Sequence, residues 1–328
     1  MRTARISDFR FQTSQQTRGA PPAVALACGV LMLLLVGGGC APATVDLSTS
    51  VQQSASVPSA YDDREWATVL RENVKDGLVD YEHLKSHDAP LSNYLATIAQ
   101  VGPQTKPEWF KNRSDRLAYY LNAYNALVLA IVLHLNVPSS VHDAGMKRLE
   151  YDYRFMVDGQ RRTLAEVRTL AEAEAAGDVR ALFCFCDAAR GSPPLPDEPL
   201  RGESLDQQLL KASSSAMDNP NLVRVDHEQQ ALLVSVLINH RRTDFLEYYR
   251  RQTGGPGSLL SSLGLLANSV RREYLNTAVG YDERVIPFDR RLNRWAAGEP
   301  RAVSDGTEWP RPAAGNPNAK TSQPQSTQ

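Results

Sequence analysis

Cysteine is scarce. Four stand in 328 residues, and Cys28 and Cys40 fall in or just after an N-terminal apolar run, leaving Cys184 and Cys186 in the body of the chain. That scarcity excludes a disulfide scaffold. Read as strand neighbours, the two residues of the C-x-C pair face the same side. Their Cα atoms would lie roughly 6.5–7 Å apart, at or beyond disulfide range, so buried structural thiols are expected. No second Cys/His cluster accompanies them, so neither a metal site nor a cofactor is expected. Charge of one sign is also lacking: 36 basic against 37 acidic residues leave a net of −1. No long Lys/Arg run exists, and the electrostatic footprint of a nucleic-acid binder is absent. There is no internal repeat. What remains is 42% apolar and 22% charged, the composition of an ordinary globular protein.

The first 40 residues are a different matter. Arg2, Arg5, Arg10 and Arg18 precede Ala23–Val36, a run of apolar residues and one Gly, and Gly37-Gly38-Gly39-Cys40 follows. This order describes a secretory signal peptide, and a Cys directly after small residues resembles a bacterial lipobox. Residues 1–39 are therefore read as a lipoprotein-type signal with Cys40 as the lipidation site. An uncleaved anchor helix and an ordinary cleaved signal are the alternatives. Residues 41–60, small and polar, read as a flexible tether, and 298–328, nearly devoid of apolar groups, as a disordered tail.

The folded unit is expected over 61–297. Asp63–Asn73 has helical spacing, with Trp66, Val69 and Leu70 on one face. Tyr153–Val157 and Arg161–Thr163 flank Asp158-Gly159, a hairpin signal, and Thr163 suits the N-cap of a helix to about Ala175. Ala181–Cys186 reads as a strand, Ser204–Met217 as a helix, and Leu222–Val225 with Ala231–Ser235 as a second hairpin. Arg242–Arg251 and Leu259–Tyr274 read as helices. From Leu117 to Leu133 only Asn122 and Asn125 are strongly polar, so a helix at about 115–135 is expected to be buried rather than membrane-spanning. Together these signals predict an α+β, helix-rich single domain with a small, mainly antiparallel sheet around a buried central helix.

The most informative stretch is Asp178–Leu195, DVRALFCFCDAARGSPPL. It resembles the signature segment of the bacterial domain of unknown function 547 (DUF547) family, D-P-R-[IV]-H-F-A-L-x-C-A-S-R-G-C-P-P-L. Asp178, Arg180, Phe183, Ala188, Arg190, Gly191, Pro193, Pro194 and Leu195 fall in register. Val79-Asp80-Tyr81 with Leu84, then Leu91 and Tyr94, are similar to the family's V-D-Y-x-x-L and L-x-x-Y. Tyr120, Asn122, Tyr124 and Asn125 follow its W-x-N-x-Y-N. Ser235, Leu237, Asp244 and Phe245 fit L-S-x-I-F-x-W-Y-x-x-D-F, and FDRRLN fits Y-D-W-S-L-N. The side chains able to do chemistry have changed. The family's His is Leu182, its two Cys are Asp187 and Ser192, and its I-E-H triplet is Val167-Arg168-Thr169.

Those exchanges shape the functional expectation. Asn122 and Asn125 share a helix face and are read as pinning neighbouring loops, or else as facing a cleft and orienting a ligand. They are expected to lie near the Arg190–Leu195 loop and to bond its backbone, which Pro193 and Pro194 rigidify; Tyr124 and Arg190 are counted with them as ligand-binding or structural residues. Ser192, His240 and Asp244 are the candidates for a rebuilt catalytic group, since nucleophilic catalysis needs a base and a group to orient it. Asp289 is read as a cap or loop anchor. The expected protein is a membrane-anchored bacterial envelope protein with a non-catalytic binding domain for a peptide, glycan or partner protein. The alternative is an envelope hydrolase or acyl-transfer enzyme.

Overall fold

The computed structural model describes residues 45–47, 60–141 and 149–295. The signal peptide, Cys40, most of the tether, His142 and the 298–328 tail lie outside the described residues. In chain order, β1 (Val45–Asp46) is followed by α1 (Arg64–Asn73), the β2–β3 hairpin (Val74–Lys75 and Leu78–Val79), α2 (Tyr81–Ser86) and α3 (Ala89–Gln100). A 3-10 turn at Pro107–Trp109 leads into α4 (Arg113–His134), then α5 (Leu149–Asp152), the β4–β5 hairpin (Tyr153–Val157 and Gln160–Thr163) and α6 (Leu164–Ala175). A 3-10 helix over Val179–Cys184 precedes α7 (Leu205–Asp218) and the β6–β7 hairpin (Val223–Asp226 and Ala231–Val234). Helices α8 (Val236–His240), α9 (Arg242–Thr253), α10 (Leu259–Leu266) and α11 (Ser269–Asn276) and strand β8 (Asp282–Val285) complete the set.

Helix α4 organises the fold. Asn112 caps it, accepting the Asp115 amide at 2.8 Å, and every residue from Leu117 to Leu129 is buried. It is long and apolar enough to cross a membrane, but its surface is covered by α3, α6 and β4. The β4–β5 turn is the expected Asp158-Gly159, both at positive φ (53° and 71°), as a two-residue hairpin of this handedness requires. Thr163 then starts α6 with a full capping box: its hydroxyl takes the Glu166 amide while the Glu166 carboxylate takes the Thr163 amide at 2.7 Å. Tyr153, Phe155 and Val157 alternate inward along β4.

The α+β class stands. Four details differ from the sequence reading. The strands form three small sheets, in the orders β1-β4-β5, β2-β3 and β6-β7-β8, and two pairings, β1 with β4 and β7 with β8, are parallel. Residues 45–47 of the expected tether are docked, with Val45 and Asp46 paired to Tyr153 and Arg154 and Leu47 buried. The helix expected over Leu259–Tyr274 is two helices, because Asn268 ends one and caps the next by accepting the Arg271 amide at 2.8 Å.

The fourth correction matters most. Ala181–Cys186 is not a strand; Val179–Cys184 is a 3-10 helix and Phe185 continues extended. Asp178 caps it, accepting the Arg180 amide at 3.0 Å. With three residues per turn, side chains i and i+3 share a face. Val179, Leu182 and Phe183 enter the core formed by α7, β6, β7 and α9–α11, whereas Ala181, Cys184 and Phe185 enter the core around α4. The run 181–185 is a seam between two apolar clusters and is apolar on every face, while the Arg180 side chain pairs with Asp178 and Asp206. Such a run cannot be assigned to strand or helix by periodicity.

Candidate functional site

Asn122 and Asn125 are one turn apart on α4 and almost fully buried. The Asn125 amide donates to the Cys184 carbonyl at 2.9 Å and its oxygen accepts the Cys186 amide at 3.0 Å. Asn122 treats Leu200 the same way, donating to its carbonyl at 2.8 Å and accepting its amide at 3.0 Å, and it also accepts the Trp66 indole N–H at 3.3 Å. Each side chain thus pairs with a backbone as a neighbouring strand would. The expectation that these amides bond the Arg190–Leu195 loop itself is corrected: they hold the backbone on either side of it, because the groups left without secondary-structure partners are those at 184, 186 and 200.

The positions where the signature pattern carries reactive side chains are each occupied by a settled group. Leu182 is buried in the second core. Asp187 accepts from the Tyr124 hydroxyl at 2.6 Å and from Arg168 Nη2 at 2.7 Å. The guanidinium stacks over the Tyr124 and Phe185 rings, 4.7 and 4.4 Å from their centroids. Its Nε lies 2.8 Å from Glu150 Oε1, off the hydrogen-bond line. Burial works against the Arg168 charge, but Asp187, Tyr124 and Glu150 outweigh it and raise its pKa. Thr169 is exposed and its hydroxyl bonds the Ala165 carbonyl. Two exchanged positions, 168 and 187, have therefore become partners of one another.

The rebuilt group proposed from sequence does not assemble. The Ser192 hydroxyl is buried and donates to the Ala189 carbonyl at 2.7 Å. Asp244 pairs with Arg241, which also bridges to Glu172 at 3.0 Å. His240 is exposed at the end of α8. Among the described residues no hydrogen bond joins any two of Ser192, His240 and Asp244. An arginine one residue after the histidine captures the carboxylate intended for it. Cys184 and Cys186 are free and buried, and burial pushes both thiols up to about 12, leaving them protonated and inert.

In front of this framework lies a cleft of about 680 Å3. One wall is the β2–β3 turn, where Asp76 and Gly77 adopt positive φ (51° and 77°). The other is the Arg190–Pro194 loop, with Asn219, Asn221 and Trp295 at the ends. The closing segment threads between the two walls. Arg190 and Gly191 donate their amides to the carbonyls of Arg291 and Asp289, Asn293 donates to Ala188, and Val79 exchanges bonds with Asn293 and Trp295. Asn293 is buried; it accepts the Tyr81 hydroxyl at 2.6 Å and donates toward Gly77 and Cys186. Asp289 anchors the same strap through Arg291, whose guanidinium lowers the carboxyl pKa.

Residues 109–215 match the family model described as "Protein of unknown function, DUF547". This span is a DUF547 region. No curated protein and no solved structure matches the chain. The DUF547 span contains α4, the Arg168–Asp187 pair and the Arg190–Pro194 loop, while the β2–β3 turn, Asn219, Asn221, Asn293 and Trp295 lie outside it. Of the residues around the cleft, sequence reasoning singled out Arg190, Ser192, Pro193 and Pro194 but missed Lys75, Asn219, Asn221, Asn293 and Trp295. For Asn293 a signal existed: it ends the FDRRLN match. For the others no local pattern marks a cleft assembled from distant segments.

Proposed function

We propose that the chain is a membrane-anchored envelope protein whose DUF547 region serves as a binding domain without covalent catalysis, taking a peptide, glycan or partner protein in the cleft between the β2–β3 turn and the Arg190–Pro194 loop. One observation carries this reading: every signature position expected to be reactive is buried, ion-paired or bonded to the chain's own backbone. A working serine needs a base within about 2.6–3.2 Å. The Ser192 hydroxyl instead donates to Ala189, and among the described residues no histidine lines the cleft. Anchoring is supported by the four leader arginines, the apolar run and Gly-Gly-Gly-Cys in that order.

Two experiments test it. The purified protein is assayed against ester, amide and peptide substrates beside a relative that retains the signature His and Cys. The expected result is turnover by the relative alone. Turnover by this chain that is lost on Ser192→Ala would establish the hydrolase reading instead. For the anchor, Cys40→Ala should release the protein from the membrane fraction or leave a full-length precursor; unchanged partitioning and cleavage would rule out lipidation at Cys40.

A further inference from the structure

The cleft does not end at Pro194. A second compartment of about 320 Å3 adjoins it, and Asp76, Gly77 and Pro194 line both. The hairpin tip and the proline form the ridge between them. That ridge is tightly closed: a Cβ on Gly77 would fall 2.2 Å from the Pro194 Cβ, so nothing larger than glycine fits beneath it. Beyond the ridge Phe183, Leu195, Leu200 and Ala212 supply apolar surface, beside Asp197 and Glu198, which pair with Lys211.

The first compartment has the opposite character. Lys75 Nζ sits over the Trp295 ring, 5.5 Å from its centroid, and has no carboxylate partner among the described residues. Arg190 is positioned by a bond from Nη2 to the Arg294 carbonyl at 3.1 Å, which leaves its remaining N–H groups available. The Asn221 side-chain amide is exposed and unpartnered among the described residues. Among the described residues Asp76 is the sole acid in the lining, and it already has an interaction within the protein. Two cations and an amide donor face this space, against one carboxylate, Asp76 at the hairpin tip. Among the described residues the lining holds one aromatic ring, Trp295, with the Lys75 ammonium over one face, which takes a surface on which a sugar ring would stack.

We infer that the joined compartments take a peptide presenting a carboxylate beside an apolar side chain, the carboxylate between Lys75 and Arg190 and the side chain beyond the Pro194 ridge. This rests on the binding role proposed for the cleft. Charge-assisted bonds to a carboxylate supply the orientation, and at about 3.3 Å per extended residue, neighbouring positions of one peptide reach both compartments. The carboxylate has two sources, a chain terminus or a glutamate side chain.

The test uses the full-length chain, purified in detergent and labelled with 5-fluorotryptophan, with the Trp295 19F resonance assigned through Trp295→Phe. Four probes are titrated: Ala-Leu-Leu as the free acid, the same peptide as its C-terminal amide, acetyl-Leu-Glu-Leu-amide and chitotriose. At least one carboxylate peptide should shift the Trp295 resonance saturably, about tenfold more tightly than the amide, and Lys75→Gln with Arg190→Gln should erase that preference. The two carboxylate peptides distinguish a terminus from a side chain. Equal binding of acid and amide, or a response to chitotriose alone, overturns the peptide-carboxylate inference and leaves the cleft as a binding site. No response to any probe overturns both.

Discussion

Replacing Asn125 by alanine is a direct way to weigh the framework that positions the cleft. The side chain joins the Cys184 carbonyl and the Cys186 amide, at 2.9 and 3.0 Å, and both residues are buried. An unsatisfied buried group costs about 1–3 kcal/mol. Two therefore set a range of about 2–6 kcal/mol, and partial relaxation of the 184–186 backbone brings the expectation to about 2–4 kcal/mol. In a domain of this size each kcal/mol lowers Tm by about 2–4 °C. Asn125→Asp is the companion variant. It keeps the acceptor for Cys186 but cannot donate to Cys184 while ionised, so it should be at least as damaging at pH 7 and should regain stability as the carboxyl protonates on acidification. Urea denaturation followed by circular dichroism measures both, with Asn93→Ala on α3 as an exposed control. A loss below about 1 kcal/mol for Asn125→Ala, or none beyond the control, would refute the claim that this amide replaces a strand partner.

Two further outcomes are expected. Thr163→Ala, which removes one half of the capping box on α6, should cost about 1 kcal/mol by the same denaturation measurement, and Thr163→Ser should recover most of it. The buried thiols make stability depend on alkaline pH. Burial holds Cys184 and Cys186 protonated up to about 12, whereas in the unfolded chain they ionise near 8.5. Their contribution is therefore fully present below about 8.5 and lost as pH rises toward 12. A double Cys→Ala variant should show a shallower alkaline decline, and in a protein beginning at Ala41 neither thiol should react with a disulfide reagent at pH 8 until urea unfolds it.

Much of the fold was legible because it rests on local signals. Trp66, Val69 and Leu70 at helical spacing, Asp158-Gly159 between two strands, and Thr163 with Glu166 three residues on are short-range codes that tertiary contacts reinforce. Most residues in register with the signature pattern turn out to be of this kind: Asp80, Asp178 and Ser235 cap helices, and Tyr81, Leu84, Tyr94 and Phe245 are core. The Val179–Cys184 segment failed because two cores claim different faces of it, and only the assembled clusters reveal that. Leu259–Tyr274 failed because a polar Asn268 inside a helical pattern reads as a tolerated exception, whereas it caps a new helix. The exchanges at 168 and 187 could be seen one by one in sequence, but not that they meet. The cleft was half legible, since its loop lies in the signature while Lys75, Asn221 and Trp295 come from segments without a local mark.

The central claim is that the exchanged signature positions now do structural work. The most direct test is a double-mutant cycle on Arg168 and Asp187 measured as folding stability. Groups held in place for function are kept at a cost in stability, so replacing them tends to stabilise. Groups that hold the fold together do the reverse. The Asp187 side chain is 40% exposed, which reduces its share below that of a fully buried pair. The expected result is that Arg168→Met and Asp187→Asn each destabilise, with a favourable coupling of about 1–2 kcal/mol between them. If Asp187→Asn alone stabilises the protein, or the coupling vanishes, the pair is not a structural lock and the non-catalytic reading loses its foundation.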